Sequence, residues 1–400
     1  MTLPEHSRSR VPSLDGLRGI AAGVVVLHHL ARVIPSISTG YLHRSAVPAV
    51  GSLHWWVSYT PMKLLTAGPE AVLIFFVLSG FVLALSPVRR RDFAWASYYP
   101  KRIVRLFLPA IAAILFGTAL TILVPRELSV VHGPWLARLF EPGLSPLATL
   151  KDFTIVFGWP FRTNNVLWSL VWEVWFSLLL PLFVVLAVVL KRAWWVLIPV
   201  GLAVCLAGQL THQHSLVFLP VFVIGVALAR GRDDLAAVAH RIDSLSAARL
   251  IWGSALVLSL LLILSSWLME GLWPGAKAIG PVSQVLATFG AASLVAICAL
   301  WSGAARALTW RPIAWLGRVS FSLYLVHIPI VLSLAYLLGD RQWILIAAIA
   351  LPLSLIAAEL FFRFVELPSQ RLSVATGRLF ERSRVATRER SAERPVPVTD

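Results

Sequence analysis

The sequence predicts an all-α, polytopic membrane protein: one bundle of about 10 transmembrane helices with both termini in the cytoplasm. Three observations carry this reading. Of 400 residues, 58% are hydrophobic and only 14% charged, with a mean hydropathy of +0.79, whereas soluble domains carry roughly 25% charged residues. Apolar runs of about 20 residues, the length that crosses a bilayer, recur along the whole chain. With the N-terminus in the cytoplasm, and with Arg32 and Arg105 near span ends counted with the loops they border, 25 Lys and Arg fall in cytoplasmic segments and 9 in external ones, Arg18 lying within the first span. That asymmetry is the positive-inside pattern. The net charge of +16 therefore reports orientation and contact with anionic membrane lipids, not nucleic acid.

The expected spans are 13–34, 70–86, 103–124, 165–190, 193–209, 214–229, 250–269, 281–301, 319–338 and 342–362. They divide the chain into a cytoplasmic N-terminal segment (1–12), a transmembrane domain (13–370) and a charged cytoplasmic tail (371–400). Few large apolar residues in the tail predict disorder there. The first apolar segment is full length and carries Arg18, so it is expected to insert as a signal anchor and not as a cleaved signal peptide. The external connections 35–69 and 125–164, rich in Pro, Gly, Trp and Ser, are expected to fold back over the bundle. Cys205 and Cys298 each fall inside an apolar span, with no metal or redox spacing. No internal repeat is evident, which counts against transporter folds built from inverted halves.

Five segments place polar side chains in this apolar background. In SLDGLRGIAAGVVVLHHLARV, Arg18 and His29 are eleven residues apart. That is about three helical turns, so both leave one face roughly 16 Å apart along the axis. Asp15, three residues before Arg18, is placed to hold its guanidinium. His28 points about 100° away from His29, toward lipid headgroups or a neighbouring helix. His29 is a candidate general base for an attacking hydroxyl; a histidine that hydrogen-bonds another helix is an equal reading.

In SYYPKRIVRLFLP, Pro100 suits a first helical turn. Lys101, Arg102 and Arg105 would then crowd the positive end of the helix dipole, where cations are disfavoured. Arg102 and Arg105 there form a candidate phosphate site, and Lys101 reads as a topology signal. In LIFFVLSGFVLA, Ser79 and Gly80 permit close approach of a ligand or, more simply, of another helix. In NNVLWSLVWEVWFSLLLPL, Asn164 and Asn165 are placed to cap a helix, and Trp168, Trp172 and Trp175 form an aromatic stripe. Glu173, a carboxylate at membrane depth, is a functional candidate by default, orienting a partner or binding a hydroxyl. In WLGRVSFSLYLVHIPIV, Tyr324 and His327 sit on adjacent turns, with Glu359 and Glu366 following. His327 either reaches the cavity of His29 or makes an interhelical hydrogen bond. His212 and His214 lack further ligands, and no metal is expected.

In this order and spacing, the marks LDGLRGIAAGVVVLHHL, FFVLSGFVL, KRIVRLFLP, WSLVWEVWF, LGRVSFSLYLVHIP and FRFVELP resemble the membrane-bound acyltransferase family 3. The resemblance covers roughly residues 11–370. It implies transfer of an acyl group, acetyl by default, from acyl-coenzyme A to a hydroxyl of a carbohydrate or glycosylated acceptor. It implies Arg18 and His29 as the catalytic pair, with Arg102 and Arg105 on the coenzyme A phosphates, and it maps the family's SGF element onto Ser79, Gly80 and Phe81. The candidate sets are thus catalytic His29, Arg18 and Glu173; cofactor-binding Arg102, Arg105, Ser79 and Gly80; and substrate-binding Trp168, Tyr324 and His327. Some relatives append an extracytoplasmic hydrolase-like domain; none is expected after residue 370. The expected location is the cell (plasma or inner) membrane. The rival reading is a transporter or exporter of a polar or lipid-linked substrate, with Arg18, Glu173 and His327 lining its path.

Overall fold

A bilayer offers the backbone no water to bond, so apolar spans close their hydrogen bonds internally as helices. Ten helices follow the expected spans in order: α1 (Pro12–Val33), α2 (Gly68–Ala84), α3 (Trp95–Leu123), α4 (Trp168–Val189), α5 (Leu197–Leu210), α6 (His214–Arg230), α7 (Ala248–Ile263), α8 (Ile279–Leu300), α9 (Arg311–Leu338) and α10 (Trp343–Phe361). A π-helical stretch, Phe362–Glu366, then leads into α11 (Leu367–Ala392). The computed structural model describes residues 11–42, 48–90, 93–140, 145–156, 163–273 and 279–392, and every regular element among them is helical. Among the described residues seven helices are long and apolar enough to cross a membrane, or up to nine if each of two bent pairs is one span; the 17-residue α2 is shorter.

Two elements differ from expectation. Helix α3 begins at Trp95, so Pro100 lies inside it and Arg102 and Arg105 stand two to three turns from its start. The arginines are therefore not at a helix N-terminus, and the dipole argument for a phosphate site there does not apply. Hydropathy missed this start because the extra turns are aromatic and amphipathic: Trp95 packs on Phe93 and Tyr98. The second difference is the tail, expected to be disordered from residue 371, which is helical to Ala392. Small residues spaced four apart explain its start. Ser369 and Ser373 donate to the Val104 and Lys101 carbonyls of α3 at 2.9 and 2.7 Å, and Gly377 makes room for the Lys101 side chain. The charges that suggested disorder, Arg371 and Arg378 among them, point outward.

Two apolar cores meet along α1. One gathers Val77 of α2, Phe222 of α6 and Val295 of α8; the other gathers Ile114 of α3 and Leu325 of α9. Helix α1 gives Leu14 and Leu17 to the first and Ala22 and Val25 to the second. It crosses α9 backbone on backbone. A carbon added to Gly19 would lie 2.8 Å from the Gly317 Cα, and one added to Gly317 would lie 2.7 Å from the Asp15 carbonyl carbon. Glycine pairs let membrane helices approach this closely, and here the crossing positions a pair of histidines.

Candidate active site

From the α1–α9 crossing, His29 and His327 face each other, with His327 Nε2 3.0 Å from His29 Nδ1. Both rings are buried. Each also turns its Nδ1 onto its own helix: His29 to the Val25 carbonyl and His327 to the Leu323 carbonyl, both at 2.9 Å. Trp135, on the short helix Pro134–Leu139, stacks on His29 with ring centroids 5.6 Å apart. The Arg32 guanidinium lies over Tyr41 at 4.4 Å and Trp135 at 5.0 Å. Beyond it the Lys63 ammonium sits 3.8 Å over Trp267, whose indole N–H donates to Glu70 at 2.9 Å. His28 faces a protein neighbour, donating from Nδ1 to the Thr66 carbonyl at 2.8 Å. At the edge of this group, burial and then the Lys63 charge hold the His54 pKa below the ordinary histidine value.

Toward the other end of α1, Arg18 pairs with Asp15 at 3.2 Å, as the sequence spacing requires. Arg105 lies within electrostatic reach of Arg18, Arg102, Glu173 and Glu366. The residue is exposed overall, and no described side chain hydrogen-bonds its guanidinium. Arg102 is engaged: it forms an ion pair with Glu173, and its Nε donates to Ser177 Oγ at 2.9 Å. Ser79 Oγ donates to the same Glu173 carboxylate at 2.5 Å. Glu173, grouped with His29 in the sequence reading, thus belongs to the arginine end. Ser169, Glu173 and Ser177 form one polar stripe on α4, because residues four apart share a helix face. Glu366, turned inward at the π-helical stretch, accepts from Ser322 at 2.6 Å and Gln370 at 2.9 Å.

Between the two ends, the Tyr324 and Ser169 hydroxyls meet at 2.7 Å. Trp168 packs against Phe76 and Phe218, and Trp172 also against Phe218, whereas Trp175 is exposed. Gly80, grouped with the cofactor residues in the sequence reading, meets α6 instead: a carbon added to Gly225 there would lie 3.0 Å from the Gly80 Cα. It serves helix packing. Asn164 does not cap α4 either. Pro329 has no N–H to give the Leu325 carbonyl four residues back, and the Asn164 side chain donates to that carbonyl at 2.8 Å.

Arg32, Lys63, Trp135 and Asp340 join the site without being among the sequence candidates. Asp340 is fully buried between α9 and α10 and accepts from the His132 and Gly133 backbone N–H groups at 2.7 and 2.6 Å. His132 Nδ1 adds a third contact at 2.9 Å. A lone aspartate in an LGDRQ turn was the available signal. It clamps the chain that leads into Trp135. Asp340→Ala is expected to destabilise the fold by about 2–4 kcal/mol, since it leaves two N–H donors without their charged acceptor. The check is the denaturant midpoint of the purified protein; an unchanged midpoint contradicts the clamp. Among the described residues no group of three or more His, Cys, Asp or Glu is placed to hold a metal ion.

The acyltransferase domain family matches residues 11–363. A protein of Staphylococcus aureus (strain COL) that carries the name of an O-acetyltransferase is 26% identical over 394 residues, 90% of this chain and 57% of its own length. YrhL of Bacillus subtilis (strain 168), named for peptidoglycan O-acetylation, is 26% identical over 389 residues, 91% of this chain and 55% of its own length. The acyltransferase MdmB of Streptomyces mycarofaciens is 27% identical over 401 residues, 91% of this chain and 92% of its own. The chain thus spans little more than half the length of the first two relatives. No solved structure matches it.

Proposed function

This chain belongs to the acyltransferase domain family, and we propose that it moves an acetyl group from cytoplasmic acetyl-coenzyme A to a hydroxyl of a carbohydrate or glycosylated acceptor. It does so as a multi-pass protein of the cell membrane, with both termini in the cytoplasm, as the distribution of basic residues favours. The observation that carries the reading is the division of the site. The arginine end lies near the start of α1 and the histidine pair near its end.

Coenzyme A carries several phosphates and is a cytoplasmic cofactor. Arg105, exposed and unbonded among the described residues, is the side chain most ready to receive them, with Arg18 beside it. Arg102 reaches the donor only as Glu173 shares or releases it. A fork of guanidinium donors suits phosphate better than an ammonium does. The thioester then extends along the bundle toward His29.

At that end His29 Nε2 takes the proton from the acceptor hydroxyl. The oxygen attacks the thioester carbonyl, a C–O bond forms, and the tetrahedral intermediate collapses as the C–S bond breaks. The departing thiolate takes the proton back from His29. A transport reading gives no role to a histidine base at one end of α1 with an arginine cluster at the other, and membership of the acyltransferase family favours the enzyme.

The test is acetyl-coenzyme A binding to purified, reconstituted protein. Arg105→Ala is cleaner than Arg102→Ala, because Arg102 also holds Glu173. Losing a charge-assisted phosphate contact of about 1.5–3 kcal/mol raises Kd roughly 10- to 100-fold. Saturable binding that survives Arg105→Ala unchanged removes the donor assignment.

A further inference from the structure

We infer that His327 is a positioning residue for His29: it accepts the His29 Nδ1 proton and stabilises the imidazolium that forms during acyl transfer. The inference rests on the reading of His29 as the base. It follows from which atoms can donate. A carbonyl oxygen only accepts, so the ring nitrogens facing the Val25 and Leu323 carbonyls must both carry hydrogen. His29 and His327 are thereby both Nδ1–H. In a neutral His327 that leaves Nε2 as a bare lone pair, and this atom is the one 3.0 Å from His29 Nδ1.

The opposite tautomers would set a lone pair against each carbonyl. The direction of the chain is therefore fixed: the His29 Nδ1 proton is shared between the Val25 oxygen and His327 Nε2, and His327 donates onward to Leu323. His29 Nε2 remains, an open lone pair with no described partner. When that lone pair takes a proton, charge spreads over the His29 ring and the Nδ1–H becomes a stronger donor. A second imidazole is a better acceptor for it than a carbonyl alone. The role is the one a carboxylate plays behind the histidine of a Ser-His-Asp triad, filled here by a neutral group that brings no net charge into the membrane. His327 is fully buried, so water does not replace it.

The test uses the full chain, reconstituted, with ¹⁵N-labelled histidine. A ¹⁵N–¹⁵N coupling between His29 Nδ1 and His327 Nε2 is expected, with His29 Nε2 unprotonated; its absence in the wild type overturns the inference whether or not turnover is seen. His327→Phe keeps ring volume and loses the acceptor, and is expected to lower kcat about 100-fold while acetyl-coenzyme A binding at the arginine end is unchanged. His327→Gln places an amide oxygen where Nε2 stood and is expected to recover kcat to within about tenfold of the wild type. Wild-type kcat in the Phe variant, or no recovery in a Gln variant that binds donor normally, overturns it. If the wild type shows the coupling but turns over no acyl-coenzyme A, the proposed reaction fails and the hydrogen bond stands.

Discussion

His29→Ala is expected to lower acyl transfer by about 10³-fold, within the range that a positioned general base supplies, while leaving acetyl-coenzyme A binding intact. The two halves of the result matter together. His29 lies about 16 Å along α1 from Arg18, and the guanidiniums proposed to meet the donor's phosphates belong to the other end of the helix. A truncated imidazole removes the base without touching them. The ring also stacks on Trp135 and contacts His28 and His327, so binding doubles as the control for folding. Retention of more than a tenth of wild-type kcat, at saturating donor and acceptor, would remove His29 from the chemistry.

Gly317→Val is expected to be as damaging through packing alone. The added branch has no space against the Asp15 carbonyl, and overpacked interiors typically cost about 1–3 kcal/mol, occasionally more. Backbone meets backbone at this crossing, so no side chain can rotate away; the helices must separate. Separation moves His327 off His29, and the expected readout is loss of their ¹⁵N–¹⁵N coupling, with kcat falling at least 100-fold in whatever protein folds. A well-folded Gly317→Val protein with the coupling intact would show that the crossing does not set the histidine geometry.

The positions of the spans were legible because hydrophobic run length is a local property. Helix α1 was expected over 13–34 and occupies Pro12–Val33; α6 was expected over 214–229 and occupies His214–Arg230. The Asp15–Arg18 pair was legible for the same reason, since three residues on a helix fix their own distance. The partner of Glu173 was not. Ser79 is 94 residues and Arg102 71 residues away in the chain, and only the packing of α2, α3 and α4 makes them neighbours. The tail misled because composition weighs all faces of a helix equally, whereas Ser369, Ser373 and Gly377 act along one. Trp135 and Lys63 sit in connections whose sequence has no period from which a partner could be read.

Helix α1 has its one proline at the start and none within, so the interval between its arginine and its histidine is rigid. A hydrocarbon core is about 30 Å thick, and the interval spans roughly half of it. Under the proposed reaction the bulky, charged donor never has to enter that core: it stays moored at one level while its acyl end is presented at another. For the acyl group alone, the protein makes the membrane thinner. The barrier to be crossed becomes the length of one reaction coordinate, with no need for a carrier that moves.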